Sequence, residues 1–133
     1  MIPSPGLAGR QARILIVDDE PQHRQLLEVM LAPEGFLLLT AASGEEALAM
    51  VAQQPPDLIL LDVMMPGMDG YQVVARIKAN PATKGIPVIL LTALDDRSSR
   101  AHGLSAGAED FLTKPVNRAD LYARVRSLLH LQA

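Results

Sequence analysis

Three uninterrupted aliphatic runs constrain this chain more than any other feature: Ile14-Leu15-Ile16-Val17, Leu58-Ile59-Leu60-Leu61 and Val88-Ile89-Leu90-Leu91. A strand with one wet face alternates apolar and polar residues. A run that is apolar at every position fits a strand covered on both faces, as in a parallel sheet between helices. Stretches with helical spacing lie between the runs: Leu26, Leu27, Met30 and Leu31, then Ala47, Leu48 and Val51, then Tyr71, Val74 and Ile77. A last stripe is Leu121, Val125, Leu128 and Leu129. Strict βα alternation with short loops predicts an α/β fold, a single open sandwich. The 133 residues suit one domain, and no internal repeat is visible.

Local signals set the boundaries. Pro3, Pro5, Gly6 and Gly9 mark residues 1–11 as a flexible lead-in to a domain spanning 12–133. The first strand is expected at 13–17, with Pro21 in the first turn of the helix that follows. Glu34-Gly35 ends that helix, and the second strand is expected over Phe36–Thr40. Ser43-x-x-Glu46 reads as a capping box, Pro55-Pro56 as a break, and Asp69 as the cap of a third helix after the Pro66-Gly67 turn. Asn80-Pro81 closes that helix, and Gly85-Ile86-Pro87 leads to the fourth strand. The fourth helix, Arg97–Ala106, carries Ser98, Ser99 and Gly103, each costing a few tenths to about 1 kcal/mol against Ala. Gly107 reads as its stop, 109–113 as the fifth strand, and Asn117-x-x-Asp120 as the cap of the fifth helix.

Composition removes several functions. Aromatics are 3% of the chain, so the core is aliphatic. The net charge of -3 gives no basic surface for nucleic acid. No run approaches the roughly 20 apolar residues of a membrane span, and the start lacks secretory-signal features. Without Cys there is no disulfide, thiolate metal site or thiol nucleophile. A soluble cytoplasmic protein is the expectation.

The strands end on chemistry. The runs hand over to Asp18-Asp19, to Asp62, to Thr92 and, after Asp110-Phe111-Leu112-Thr113, to Lys114-Pro115. In open α/β sheets the carboxyl ends of the strands are where sites lie. Carboxylates gathered within about 5 Å repel by roughly 3 kcal/mol per pair at an effective dielectric of 20. Such a cluster needs a counter-charge, either Lys114 or a divalent cation. An all-oxygen donor set suits Mg²⁺ rather than zinc. A carboxylate can attack phosphorus and form an aspartyl-phosphate. In that role Asp62 is the nucleophile, and Lys114 and the Thr92 hydroxyl meet equatorial phosphoryl oxygens.

The segments Ile14-Leu-Ile-Val-Asp18-Asp19-Glu20, Leu61-Asp62-Val-Met-Met-Pro66-Gly67-Met-Asp69-Gly70, Ile89-Leu-Leu-Thr92-Ala93 and Phe111-Leu-Thr-Lys114-Pro115 resemble the receiver domain of two-component response regulators. The resemblance covers about residues 12–131. It implies a flavodoxin-like (βα)5 sandwich with a five-stranded parallel sheet in the order 2-1-3-4-5. It implies that Asp62 is the phosphoacceptor, served by a histidine kinase or a histidine phosphotransfer protein. It implies that Asp19 and Asp62 bind Mg²⁺ directly, Asp18 through water, and Met64 through its backbone carbonyl. It implies that Thr92 moves toward the phosphoryl group, that Phe111 swings inward with it, that Lys114 pairs with the phosphoryl oxygens, and that the bond before Pro115 is cis.

Each residue alone has a plain structural explanation. Asp18-Asp19 could cap a helix, Asp62 could be a solvated loop acid, Thr92 a strand end and Lys114 a surface lysine. Independent causes would not gather all of them at one sheet edge. Phe111 could be only a half-buried strand aromatic. His23, His102 and His130 have no patterned partners and read as surface residues. Met64, Met65 and Met68 read as loop packing.

Four functions compete. A phosphorylation-controlled switch, without turnover of an external substrate, uses every residue above. A haloacid-dehalogenase-type hydrolase would need an acid where Met64 stands and a cap over the substrate. A flavin-phosphate site would be repelled by Asp18-Asp19-Glu20. A degenerate receiver would act only by docking, yet each site residue is present. In the switch, the face made by the fourth helix, fifth strand and fifth helix is expected to report phosphorylation, with a homodimer as one means. Met64 and Leu94 are expected to flank the path of a hydrolytic water, giving slow to moderate dephosphorylation. The segment Arg124–Leu131 resembles receivers joined to cyclic-dinucleotide enzymes or found in hybrid kinases. The chain ends where the fifth helix should finish, so it reads as a stand-alone receiver or as part of a longer regulator lacking its output domain.

Overall fold

The computed structural model describes residues 11–93 and 97–130. The lead-in expected over 1–11 lies, apart from Gln11, outside these residues, as do Leu94 and the last three positions. Strands and helices alternate: β1 Arg13–Val17, α1 Pro21–Leu31, β2 Leu37–Ala41, α2 Gly44–Gln53, β3 Leu58–Asp62, α3 Gly70–Ala79, β4 Val88–Thr92, α4 Arg97–Ser105, β5 Asp110–Thr113 and α5 Arg118–His130. A 3₁₀ turn, Ala32–Glu34, extends α1 to Gly35. All strand pairs are parallel, and the sheet order is β2-β1-β3-β4-β5. The order reverses at β1, which opens a crevice between the carboxyl ends of β1 and β3.

The continuous aliphatic runs are explained by two cores, one on each sheet face. Leu15, Val17, Ile59, Leu61, Val88 and Leu90 pack with Ala47, Val51, Val73, Val74 and Ile77 of α2 and α3. Their alternate neighbours Ile14, Ile16, Leu58, Leu60, Ile89 and Leu91 pack with Leu27, Leu31, Leu121, Val125 and Leu129 of α1 and α5. Successive strand residues point to opposite faces, so both sets must be apolar.

Several boundaries shift by a residue. β2 runs one position later than Phe36–Thr40 because register pairs Arg13 with Leu37 and Val17 with Ala41. Phe36 is instead buried on the α1 side. β3 and β4 each extend one residue, so Asp62 and Thr92 are the last residues of their strands. α4 ends at Ser105, and the Gly107 N–H (φ 110°) donates to Leu104 O at 3.0 Å.

The caps read from sequence are present, with one variation. Ser43 Oγ accepts from the Glu46 N–H, but Glu46 Oε1 accepts from Ala42 rather than from Ser43. Asp69 and Gln72 form a complete capping box, and Asn117 Oδ1 accepts from the Asp120 N–H. Among the described residues no helix is long and apolar enough to cross a membrane.

Candidate functional site

The site is assembled from the carboxyl ends of β1, β3 and β4 and from the loop after β5. Asp18 follows β1 directly and is fully buried. Its place is fixed locally: its Oδ1 accepts from the Glu20 N–H at 2.9 Å, and its carbonyl accepts from Arg24 at 2.7 Å. Asp62 is also buried. Behind it α3 begins in tight contact. A Cβ built on Gly70 would lie 2.5 Å from the Asp62 carbonyl oxygen and 2.8 Å from Val63 Cα. Only glycine lets α3 start against the end of β3 in this way.

Asp18, Asp19 and Asp62 offer oxygens that all lie within 4.8 Å of one another. Lys114 reaches back over them. Its Nζ is 3.1 Å from Asp18 Oδ2 and 3.1 Å from Asp62 Oδ1. The Lys114 backbone N–H donates to Thr92 O at 2.7 Å, which anchors the loop to the end of β4. The Lys114–Pro115 peptide is cis.

The electrostatics follow from burial and crowding. Burial raises the Asp62 pKa, the Asp18 charge raises it further, and the hydrogen bond from Lys114 only partly offsets them. For Lys114, burial disfavours the ammonium. The hydrogen bond to Asp62 and the charges of Asp62 and Asp18 outweigh that effect, and its pKa stands above the ordinary lysine value. The site therefore holds three acids and one firmly protonated amine. It is short of positive charge, which suits a hard cation and the oxygens of a phosphoryl group.

Asp18, Asp19, Asp62 and Lys114 come together. Thr92 is fully buried at the end of β4. Phe111 is buried rather than half-exposed, because the β4–β5 register places it beside Leu90 and the side-chain-free Gly103 of α4 leaves it room. Met64 is 62% exposed, so loop packing describes Met65 and Met68 but not Met64. Met65 takes the inward place in that loop.

His23 is the residue that sequence reasoning missed. It reads as a surface histidine, yet its Nδ1 is 3.3 Å from Lys114 Nζ and its Nε2 is 3.2 Å from Glu20 Oε2. The available signal was its place three residues after Glu20, in the first turn of α1, on the face that turns to the site. His102, also read as a surface residue, stacks on Tyr71 at 4.0 Å between ring centroids.

Beside the site a cavity of about 410 Å³ is lined by the apolar Leu26, Leu27, Leu91, Pro115 and Val116 together with Asp18, His23 and Lys114. Leu26 and Val29 continue this apolar surface outward along α1, at 53% and 65% exposure.

A flavodoxin-like sandwich with an acidic, lysine-bridged crevice at its strand ends is the class that fold and site define. Within that class, the chain belongs to the response regulator receiver domain family, whose model matches residues 14–126. It is 56% identical over 117 residues to the response regulator PleD of Caulobacter vibrioides, covering 88% of this chain and 26% of PleD. It is 44% identical over 116 residues to the transcriptional regulatory protein AfsQ1 of Streptomyces coelicolor, covering 87% of this chain and 50% of that protein. Among solved structures, a putative response regulator from Chloroflexus aurantiacus superimposes with a TM-score of 0.87 at 40% identity, covering 90% of this chain and 98% of that one. The receiver domain of a signal transduction histidine kinase from Syntrophus aciditrophicus gives 0.83 at 40% identity, covering 89% of each chain. The chain thus spans about a quarter of PleD and half of AfsQ1.

Proposed function

We propose that this domain is a phosphorylation-controlled signalling switch that accepts a phosphoryl group on Asp62 from a histidine kinase or a histidine phosphotransfer protein. The observation that carries this reading is the single Lys114 ammonium placed 3.1 Å from both Asp18 and Asp62, with Asp19 completing the acid cluster. An Asp62 oxygen attacks phosphorus as the bond from phosphorus to the donor nitrogen breaks. The donor leaves with the electron pair and takes up a proton. Lys114 and Thr92 then face the new phosphoryl oxygens.

Three carboxylates within 4.8 Å form an all-oxygen donor set that fits Mg²⁺. Asp19 and Asp62 would hold the cation directly, Asp18 through water and Met64 through its carbonyl. When bound it neutralises charge on the transferring phosphoryl group. The chain's own residues orient the acceptor and exclude bulk water from its inner side.

The apolar hollow beside Lys114, continued by Leu26 and Val29, supports docking of the phosphodonor's helices along α1. The face formed by α4, β5 and α5 is the readout. Phe111 and Gly103 meet there, and Leu104 is 55% exposed on it. A second copy of this chain or a linked output module would use that face. Turnover of an external substrate is not part of this reading, and a cytoplasmic location goes with it.

The deciding experiment is incubation with Mg²⁺ and a small phosphodonor such as acetyl phosphate, followed by mass spectrometry. One phosphoryl adduct on Asp62, lost in Asp62→Asn, is expected. No adduct, or one that persists in the variant, overturns the proposal.

A further inference from the structure

An ammonium carries three N–H donors and no acceptor. Lys114 gives two of its donors to carboxylates, Asp18 Oδ2 and Asp62 Oδ1, each at 3.1 Å. The third lies against the imidazole of His23, whose Nδ1 is 3.3 Å from Nζ. The same Nδ1 stands 3.4 Å from Asp18 Oδ2, and Nε2 stands 3.2 Å from Glu20 Oε2.

These neighbours select one form of the ring. Lys114 can only donate, so Nδ1 turns a lone pair to it. The ring proton then sits on Nε2 and points at Glu20, a carboxylate that can only accept. The opposite neutral tautomer would gain a donor to Asp18 Oδ2 at 3.4 Å, but it sets that N–H against the nearer ammonium at 3.3 Å and a lone pair against the Glu20 carboxylate at 3.2 Å.

We propose that His23 is a positioning residue for Lys114, the third fixed acceptor that holds its ammonium at the rim of the acid cluster. The inference rests on the phosphoryl-transfer reading of the site and names a residue that reading does not use. Lysine is a point charge on a flexible four-carbon stem, and holding it in one place costs rotamer freedom. Two carboxylates alone would hold it over the very acid that must react. His23 approaches from α1 and gives Nζ an anchor that survives when the Asp62 carboxylate becomes an acyl phosphate. Glu20 fixes the ring from behind, and its own backbone N–H donates to Asp18 Oδ1, so anchor and acid cluster share one turn.

The test compares His23→Asn with His23→Leu. The Asn carbonyl oxygen can lie near the place of Nδ1 and accept from Lys114; Leu keeps bulk and offers no acceptor. With Mg²⁺ and acetyl phosphate both saturating, the maximal phosphorylation rate should fall about tenfold in H23L and stay within about threefold of wild type in H23N. The donor concentration at half-maximal rate should not move, whereas general distortion would shift it along with thermal stability. In parallel, ¹⁵N spectra of the imidazole should place the proton on Nε2, and the Lys114 ζ-amine signal should change in H23L but not in H23N. Equal rates in wild type and H23L, an H23N as slow as H23L, or a proton on Nδ1 would each overturn the assignment. If wild type gains no phosphoryl group on Asp62, the switch reading fails instead, and the ring and amine spectra, which need no phosphodonor, still decide the His23–Lys114 contact.

Discussion

Lys114 and Asp62 meet at 3.1 Å across the carboxyl ends of β5 and β3, and the same ammonium is equally close to Asp18 at the end of β1. One cation therefore ties together three segments that are far apart in the chain.

Removing that amine should expose the repulsion it offsets. Lys114→Met is expected to lose ~1–3 kcal/mol of stability without divalent cations, since it leaves the buried Asp18 and Asp62 without that donor. Added Mg²⁺ should then stabilise K114M more than wild type. Urea unfolding with and without Mg²⁺ checks both, and equal Mg²⁺ effects in the two proteins would contradict the account.

The raised pKa of Asp62 fixes the sign of a pH effect. A carboxyl whose folded pKa stands above its unfolded value of ~3.9 destabilises the fold at any pH above both values. That cost vanishes once pH falls below both. Asp62→Asn should thus be more stable than wild type at pH 7 in the absence of metal, with the gap closing as pH drops through the carboxylate range. Lys114 acts oppositely and far away in pH. Its raised pKa supplies stability that is present below about 10.5 and lost as pH climbs through the higher folded value. Thermal unfolding of both proteins across pH measures the gap.

Gly70 holds α3 against Asp62. A methyl group there would sit 2.5 Å from the Asp62 carbonyl oxygen, which is backbone and cannot step aside. Gly70→Ala should cost ~1–3 kcal/mol by overpacking and should slow phosphorylation by moving the acceptor. Normal stability with a normal rate would show that the contact relaxes freely.

Met64 is apolar and exposed two residues beyond Asp62, so it cannot orient a water toward a phosphoryl group. Met64→Asn supplies an amide that can. Its acyl phosphate should decay roughly 3- to 10-fold faster than that of the wild type. Following phosphoryl loss after donor removal decides it, and slower decay in M64N would contradict the argument.

The α4 face should respond to the site. Gly103 brings α4 to 2.8 Å, counted from a built Cβ, of Leu90 Cδ1 and to 3.5 Å of Phe111. Binding of a phosphoryl analogue with Mg²⁺ should change amide hydrogen exchange in α4 and β5 by a factor of several, as expected of a low-stability element. Unchanged exchange there would remove this face as the readout.

Much of the site was legible because each acid or amine follows a strand that the sequence marks plainly. Asp18, Asp62 and Thr92 sit one step past continuous aliphatic runs and Lys114 one step past the shorter Asp110–Thr113 strand, and parallel strands deliver such ends to one edge. Phe111 was harder. Its burial depends on register with Leu90 and on the space Gly103 leaves, and neither is local. His23 was harder still, for the same reason. It sits among the polar helix residues Gln22, Arg24 and Gln25, while its partner Lys114 arrives from the far end of the chain.

The sequence by itself determined the alternating elements, the parallel sheet and the acids at its edge, because strand burial and helix capping are written in short-range patterns of side chains. Only the tertiary structure decided which acids the ammonium joins, that a histidine shares it, and how closely α3 and α4 approach the reacting end of the sheet. Those are contacts between segments brought together by packing, and their distances, not the spacing of residues along the chain, set the electrostatics of the site.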